Sequence, residues 1–406
     1  MIIANLRDLP RATSLSAVLS GLLVIVIGSA ASLVIVFQAA NNASLSEAQI
    51  SSWVLAITVG SGLASIAMSL WYRMPVIAAW STPGVALLVT SLAGYSFGEA
   101  VGAYVVSAIA ITLIGFSGLF GWIMARIPQP VVMGMLAGVL IKFGFGLFDV
   151  IAESPVLVIG MIGVYFVLRR FNFRAPTVIA LVVGLVIAAI SGTIRGEPVP
   201  LSLAVPLWTP PVFTLPALLG LALPLTALAL TSQNAPGLAV LRNAGYTLRI
   251  DGALIITGVL SLLTAPFGGH GLTLAAITAA LVTGPEAHPD SNQRYSAGVA
   301  TGIWYLFGGI FGATLVSLFT ILPHALIAAT AGLGLANAIM SSLSASMSDP
   351  DGREGGLIAL LCTAANFSLF GIGAPFWGLV FGVLTHGIIH WGKRKGTTAA
   401  TQGTQR

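Results

Sequence analysis

The sequence predicts an all-α polytopic membrane protein with about 14 transmembrane segments in two inverted seven-helix repeats, the third and tenth segments short and broken. Three observations predict it. Of 406 residues, 57% are hydrophobic and only 7% charged, against roughly 25% charged in a soluble domain. Apolar runs of about 20 residues follow one another almost without pause. Two of these runs are interrupted in corresponding places, at PVIAAWSTPG (75–84) and PFGGHG (266–271), and paired interruptions of this kind point to a carrier's substrate site.

Hydropathy places the spans at 14–38, 50–72, 76–93, 98–125, 129–148, 154–168 and 175–192, then at 212–236, 250–266, 271–284, 293–320, 322–345, 355–372 and 374–392. The first run is too long for the 7–15-residue apolar region of a cleavable signal, so it reads as a retained span. Between the halves, Leu201 to Trp208 is amphipathic, but Pro198, Pro200, Pro206, Pro210 and Pro211 argue for an interfacial loop.

Charge tests the count independently. Fourteen crossings put Arg7, Arg11, Arg73, Arg126, Arg169, Arg170, Arg174, Arg242, Arg249, Arg294, Arg353, Lys393, Arg394, Lys395 and Arg406 on one side and only Arg195 on the other, with Lys142 inside a span. Fifteen against one places both termini in the cytoplasm. This bias accounts for the net charge of +5 without any nucleic-acid role. All twelve acids fall in loops or at span ends, so none is an evident proton carrier at the midplane. An odd number of spans per half inverts the second half and matches the short third span with the short tenth.

At the first break, Ser81 and Thr82 precede Pro83 and Gly84, the pattern of a capped helix start. The helix that follows is half the length of a span, so its N-terminus, with free N–H groups and partial positive charge, lies at depth. At the second break, Gly268, Gly269 and Gly271 surround His270 ahead of LTLAAITAALV. A second buried helix N-terminus is expected at Gly271–Thr273, and two converging N-termini would bind an anion without a lysine. The alternative is a pair of ordinary proline kinks. The extended-compatible residues of the breaks also leave room for short antiparallel strands.

Other polar residues expected at depth are Gln233 and Asn234 in TSQNAPG, Gln38 and, less centrally, Asn337 and Asn366. Such side chains face a cavity or bond between helices. His386 and His390 lie four apart but lack a third ligand, Cys362 is a lone packing cysteine, and Lys142 snorkels or pairs with an acid. No metal or cofactor motif is present.

The strings MPVIAAWSTPGVALL, TSQNAPGLAVLRNAGY and APFGGHGLTLAAITAAL resemble the benzoate–proton symporter family, often called BenE, and the likeness runs from RDLPRATSLSAVLSG to the last span. The family is similar in fold to uracil transporter-type proteins. The resemblance implies core segments at 13–125 and 212–320, gate segments at 126–192 and 321–393, a periplasmic connector at 193–211 and a cytoplasmic tail at 394–406. It implies proton-coupled uptake of benzoate or a related aromatic carboxylate across the inner membrane by alternating access. The substrate would meet Trp80, Ser81, Thr82, Pro83, Gly84, Gln233, Asn234, Gly269, His270, Gly271, Thr273 and Gln38, with Trp80 or Phe267 against its ring. Nucleobase-carrying relatives use acids on the eighth and tenth spans. Here Gln233 lies near the first position and LTLAAI carries none, which suits an anion. His270 is then the proton-coupling candidate. Another small organic anion or a nucleobase is the alternative cargo. An enzyme would need a catalytic set the spans do not offer, and a channel would need a continuous polar lining. Related folds often dimerise, and no motif here decides it.

Overall fold

The computed structural model describes residues 2–173, 175–194, 201–276, 278–365 and 367–390. Arg174, Arg195, Glu197, Pro198, Pro200, Asn366 and everything from Trp391 onward, with the expected tail, lie outside them.

A short amphipathic helix, α1 (Ile2–Ala12), leads into α2 (Leu15–Asn42) and α3 (Glu47–Tyr72). The first break forms strand β1 (Ala78–Trp80) and the half-helix α4 (Thr82–Ser91). Then come α5 (Phe97–Ser117), a short α6 (Phe120–Met124), α7 (Gln129–Asp149), α8 (Pro155–Arg170) and α9 (Pro176–Ile190). The second half opens with α10 (Leu215–Asn243), which carries π-helical turns at Leu218–Ala222 and Ala229–Asn234. It continues through α11 (Ile250–Thr264), β2 (Leu272–Leu274), α12 (Ala280–Thr283), α13 (Tyr295–Ile310), α14 (Gly312–Thr320), α15 (His324–Met347) and α16 (Arg353–Ala364). A small hairpin of β3 (Ser368–Leu369) and β4 (Ile372–Gly373) precedes α17 (Ala374–His390).

Among the described residues, seven helices are long and apolar enough to cross a membrane, eight with the bent pair α13–α14 taken as one span. The other six of the fourteen expected segments are α4, α8, α9, α12, α16 and α17, all shorter.

Packing displays the inverted repeat that hydropathy only suggested. The fourth segment of the first half, α5, packs along the second of the other half, α11, and α3 packs reciprocally along α13. The two fifth segments, α7 and α15, pack on each other, and the last two segments of each half pair as α8–α9 and α16–α17. Both fourth segments also break at the same end. Gly118 in the left-handed conformation stops α5 before α6, and α14 leaves α13 at 62°. Hydropathy alone reads 98–125 and 293–320 as unbroken because both pieces are apolar.

Two further readings are corrected. The run expected as a span at 355–372 is helical only to Ala364 and then forms the β3–β4 hairpin, where Phe370 and Gly371 turn the chain with φ of 54° and 73°. At the second break no helix starts at Gly271–Thr273. Residues 272–274 form β2, antiparallel to β1 with Ala78 opposite Leu274 and Trp80 opposite Leu272, and the next helix is the four-residue α12. At this depth an extended segment must find backbone partners inside the protein, and β1 supplies them.

The connector behaves as its prolines require. From 201 to 214 it is an extended strap rather than a span. It bonds to Ser52, Pro266, Gly98 and Ile310 at one end of the bundle, and the Trp208 ring meets Phe267 edge-on at 5.6 Å.

Candidate functional site

The two breaks meet at the β1–β2 pair, and each strand is pinned by a serine from the second helix of its own half. Ser65 of α3 accepts from the Ala78 amide at 3.0 Å and donates to its carbonyl at 3.1 Å. Ser261 of α11 accepts from the Leu272 amide at 2.8 Å. Asn234, in the second π-turn of α10, accepts from the Leu274 amide at 2.9 Å through its side-chain oxygen. Irregular backbone in a bilayer is tolerated when its polar groups are satisfied in this way. Ser65 does not stand out among the five serines of α3, and Ser261, the one serine of α11, reads in sequence as an ordinary small residue of an apolar helix.

Ser81 knits the breaks together. Its amide donates to the Gly271 carbonyl at 3.1 Å, its carbonyl receives the His270 Nε2–H at 3.2 Å, and its hydroxyl caps α4 by accepting from the Gly84 amide at 3.0 Å. Pro83 has no N–H, and the Val85 amide bonds to the Ser81 carbonyl at 2.9 Å. The Thr82 amide is therefore the donor of the first turn of α4 that these bonds leave over. The Ser81 hydroxyl hydrogen is a second one, since the cap uses only the oxygen as acceptor.

Exposure around the pair is uneven. Trp80, Ser81, Pro83, Gly84, Asn234, Gly269, His270 and Thr273 are buried, whereas Ala79, Thr82, Gln233 and Gly271 are only half-buried, as is Gln38 on α2. A methyl group added at Gly271 would meet nothing within 4 Å, and its φ of 121° belongs to glycine. So the open side of the breaks is bordered by Thr82 and Gly271. Gln233 comes from the π-turn, which packs against both α4 and β2.

The sequence-expected residues thus divide. Thr82, Gly271 and Gln233 border open space. Thr273 donates from its hydroxyl to the Ala79 carbonyl at 3.4 Å and serves the strand pair. Trp80 packs edge-on to Tyr305 of α13, centroids 5.7 Å apart. Phe267 sits against the connector. Asn337 receives Arg169 at 2.7 Å, so it serves that arginine.

His270 turns away from the open side, toward α3 and α5. Its Nδ1 accepts from Trp53 Nε1–H at 2.9 Å. An indole only donates and a carbonyl only accepts, so the two bonds fix a neutral imidazole with its hydrogen on Nε2. Tyr104 completes the enclosure, its ring 6.4 Å from the imidazole at an interplanar angle of 67°. Trp53 and Tyr104 were not foreseen, because an aromatic inside a span reads as packing until its polar tip is placed.

Several buried polar atoms have no partner among the described residues: Trp80 Nε1, Tyr104 Oη and Asn234 Nδ2 at the breaks, and Gln38 Oε1 on α2. Three of the four are donors, and no carboxylate belongs to β1, β2, α4 or the second π-turn.

A half-helix and an antiparallel strand pair between two inverted repeats of apolar helices define a polytopic membrane transport protein. The chain is similar in structure to the transmembrane domain of the cyanobacterial bicarbonate transporter BicA, with a TM-score of 0.57 at 15% identity over 93% of this chain and 97% of that one. It is similar to SLC26A9 with a TM-score of 0.60 at 14% identity over 92% of this chain and 64% of that one.

The family follows from sequence. The profile described as "BenE: Benzoate membrane transport protein" matches residues 11–388, and the chain belongs to that family. It is 38% identical to the "Benzoate membrane transport protein" of Acinetobacter baylyi over 384 residues, 95% of this chain and 98% of the relative. It is equally 38% identical to "Inner membrane protein YdcO" of Escherichia coli over 372 residues, 92% of this chain and 95% of the relative.

Proposed function

We propose that the protein carries benzoate or a closely related aromatic carboxylate inward across the inner membrane together with a proton, by alternating access. The observation that carries this reading is the uncommitted Thr82 amide at the buried N-terminus of α4, beside the open flank of Gly271. An N-terminus of this kind favours a carboxylate, and no acid on the two breaks or the π-turn repels it. Gln233 adds an amide donor from α10. The aromatic ring lies along the apolar edge at Ala79. Trp80 shapes the site from behind.

In this reading, core segments 13–125 and 212–320 move as a unit against gate segments 126–192 and 321–393. The arginine distribution supports cytoplasmic termini. A proton is needed energetically, since moving an anion against an inside-negative potential costs about 2.3 kcal/mol per 100 mV. His270 is the group we assign to carry it. It is the histidine that touches the break, and its link to the Ser81 carbonyl passes a change in its protonation directly to the cap of α4.

The test is uptake of labelled benzoate into proteoliposomes under an imposed pH gradient. Accumulation that follows the gradient is expected, and none would overturn symport. Competition by other aromatic acids and by uracil separates the cargo from its alternatives. The variant His270→Gln is expected to keep benzoate exchange and lose gradient-driven accumulation.

A further inference from the structure

The imidazole of His270 has a second buried neighbour whose polar atom is unused. Tyr104, on α5, is 1% exposed, and its hydroxyl has no hydrogen-bond partner among the described residues. Leaving a buried hydroxyl unpaired costs on the order of 1–3 kcal/mol. A solitary phenol of this kind next to an imidazole calls for a physical account.

Hydrogen-bond chemistry supplies one. With His270 neutral, Nδ1 is a lone pair and Trp53 fills it at 2.9 Å. A proton added to His270 goes to Nδ1, because Nε2 already bears a hydrogen facing the Ser81 carbonyl. Nδ1–H and the indole N–H then confront each other as two donors, and the bond must break. The protonated ring needs an acceptor on that side. The indole has none to offer, whereas Tyr104, whose ring packs 6.4 Å from the imidazole, carries an unused phenol oxygen that a rotation of the side chains would bring to Nδ1. Other titratable or charged groups on the packed elements lie near helix ends. They are Glu47 and Tyr72 on α3, Glu99 on α5 and Asp251 on α11. The strands, α4 and the second π-turn carry none.

We infer that Trp53 and Tyr104 form a two-position switch for His270, Trp53 donating to the neutral ring and Tyr104 accepting from the protonated one. The inference rests on the assignment of the transported proton to His270 and adds two positioning residues to it. Atoms balance simply. One proton from water joins Nδ1, Trp53 keeps its own N–H and the Nε2–H stays on Ser81. The arriving carboxylate supplies the counter-charge, so the switch favours protonation when substrate is present.

The experiment compares wild type, Tyr104→Phe, Trp53→Phe and His270→Gln as full chains in proteoliposomes, recording the pH midpoint of benzoate uptake. Removing the acceptor disfavours the protonated ring, so Tyr104→Phe is expected to move the midpoint about one pH unit toward acid. Removing the donor disfavours the neutral ring, so Trp53→Phe moves it about one unit toward alkali. Loss of packing alone would not move the two in opposite directions. A second readout needs no altered tyrosine: the emission of Trp53, taken as wild type minus Trp53→Phe, is expected to change on acidification in the presence of benzoate. Midpoints that stay put or move together, or a Trp53 emission indifferent to acid, would overturn the switch. Gradient-driven accumulation surviving in His270→Gln would instead overturn the proton assignment beneath it, so the two failures are distinct.

Discussion

Trp53 Nε1 donates to His270 Nδ1 at 2.9 Å, joining the second turn of α3 to the histidine of the second break. Because the other ring nitrogen is bonded to the Ser81 carbonyl, one side chain from the second half ties together two elements of the first. The bond gives His270 a structural role beside the proton-carrying role proposed for it, and the two separate by substitution. Glutamine offers an acceptor oxygen to Trp53 and donor hydrogens to Ser81, whereas alanine leaves the buried Trp53 N–H unpaired and the Ser81 carbonyl with the Val85 amide alone. His270→Ala is therefore expected to lose about 1–3 kcal/mol for the orphaned indole N–H. His270→Gln stays close to wild type. Thermal melting in detergent checks both.

Gly271 tests backbone geometry without a steric clash. Its φ is 121° and an added methyl would touch nothing. Gly271→Ala should therefore suffer only from conformational strain, on the order of 1–3 kcal/mol. That strain falls on the turn that sets β2 against β1. Benzoate affinity is expected to fall about tenfold or more while the helices melt nearly as before. Binding calorimetry beside a melting curve separates the two. A variant with unchanged affinity would mean that the open flank of Gly271 is not part of the site.

Asn234 separates anchoring from charge. Its oxygen holds the Leu274 amide at 2.9 Å, while its nitrogen is buried without a partner. Aspartate keeps the acceptor but brings a negative charge to a site read as selective for anions. Asn234→Asp is expected to fold and to lose benzoate binding by tenfold or more, through like-charge repulsion. Asn234→Ala should lose about 1–3 kcal/mol of stability by orphaning the strand amide. If the aspartate variant binds benzoate as well as wild type, the anion lies elsewhere.

The large scale of this fold was legible because hydropathy and charge act on whole segments. Fourteen apolar runs correspond to eight long segments and six shorter ones in the structure, and the Ser81–Pro83 signature located the cap of α4 that the structure shows. The second break was harder. Glycines around His270 announced an irregular turn, but LTL can open a helix or pair as a strand, and only the presence of β1 at the same depth decides for the strand. Ser65, Ser261, Trp53 and Tyr104 were invisible for a related reason. Each is an ordinary residue on an apolar helix, and its role lies in a partner 11 to 217 positions away. The bend between α13 and α14 was equally silent, since both sides are apolar and a membrane segment needs no polar residue to turn.

Tyr95 offers a test of the moving parts. It lies in the short loop before α5, and its hydroxyl reaches the Gly371 carbonyl at 3.0 Å in the β3–β4 hairpin and the Pro216 carbonyl at 3.3 Å at the start of α10. Burial holds the phenol pKa above its ordinary value, so it remains a donor throughout the neutral range. In the proposed division, Tyr95 and Pro216 belong to the core and Gly371 to the gate, so the hydroxyl bridges them on the outer side. Only the bond to Gly371 has to break when the two parts separate there. Tyr95→Phe removes that bond while preserving the ring, and a hydrogen bond of this kind contributes about 0.5–1.5 kcal/mol. The population open to the outside should therefore rise about two- to tenfold. Labelling of Thr82→Cys by a membrane-impermeant thiol reagent, in a background with Cys362→Ser, should quicken by that factor. Equal labelling with and without the hydroxyl would show that core and gate do not part at this contact.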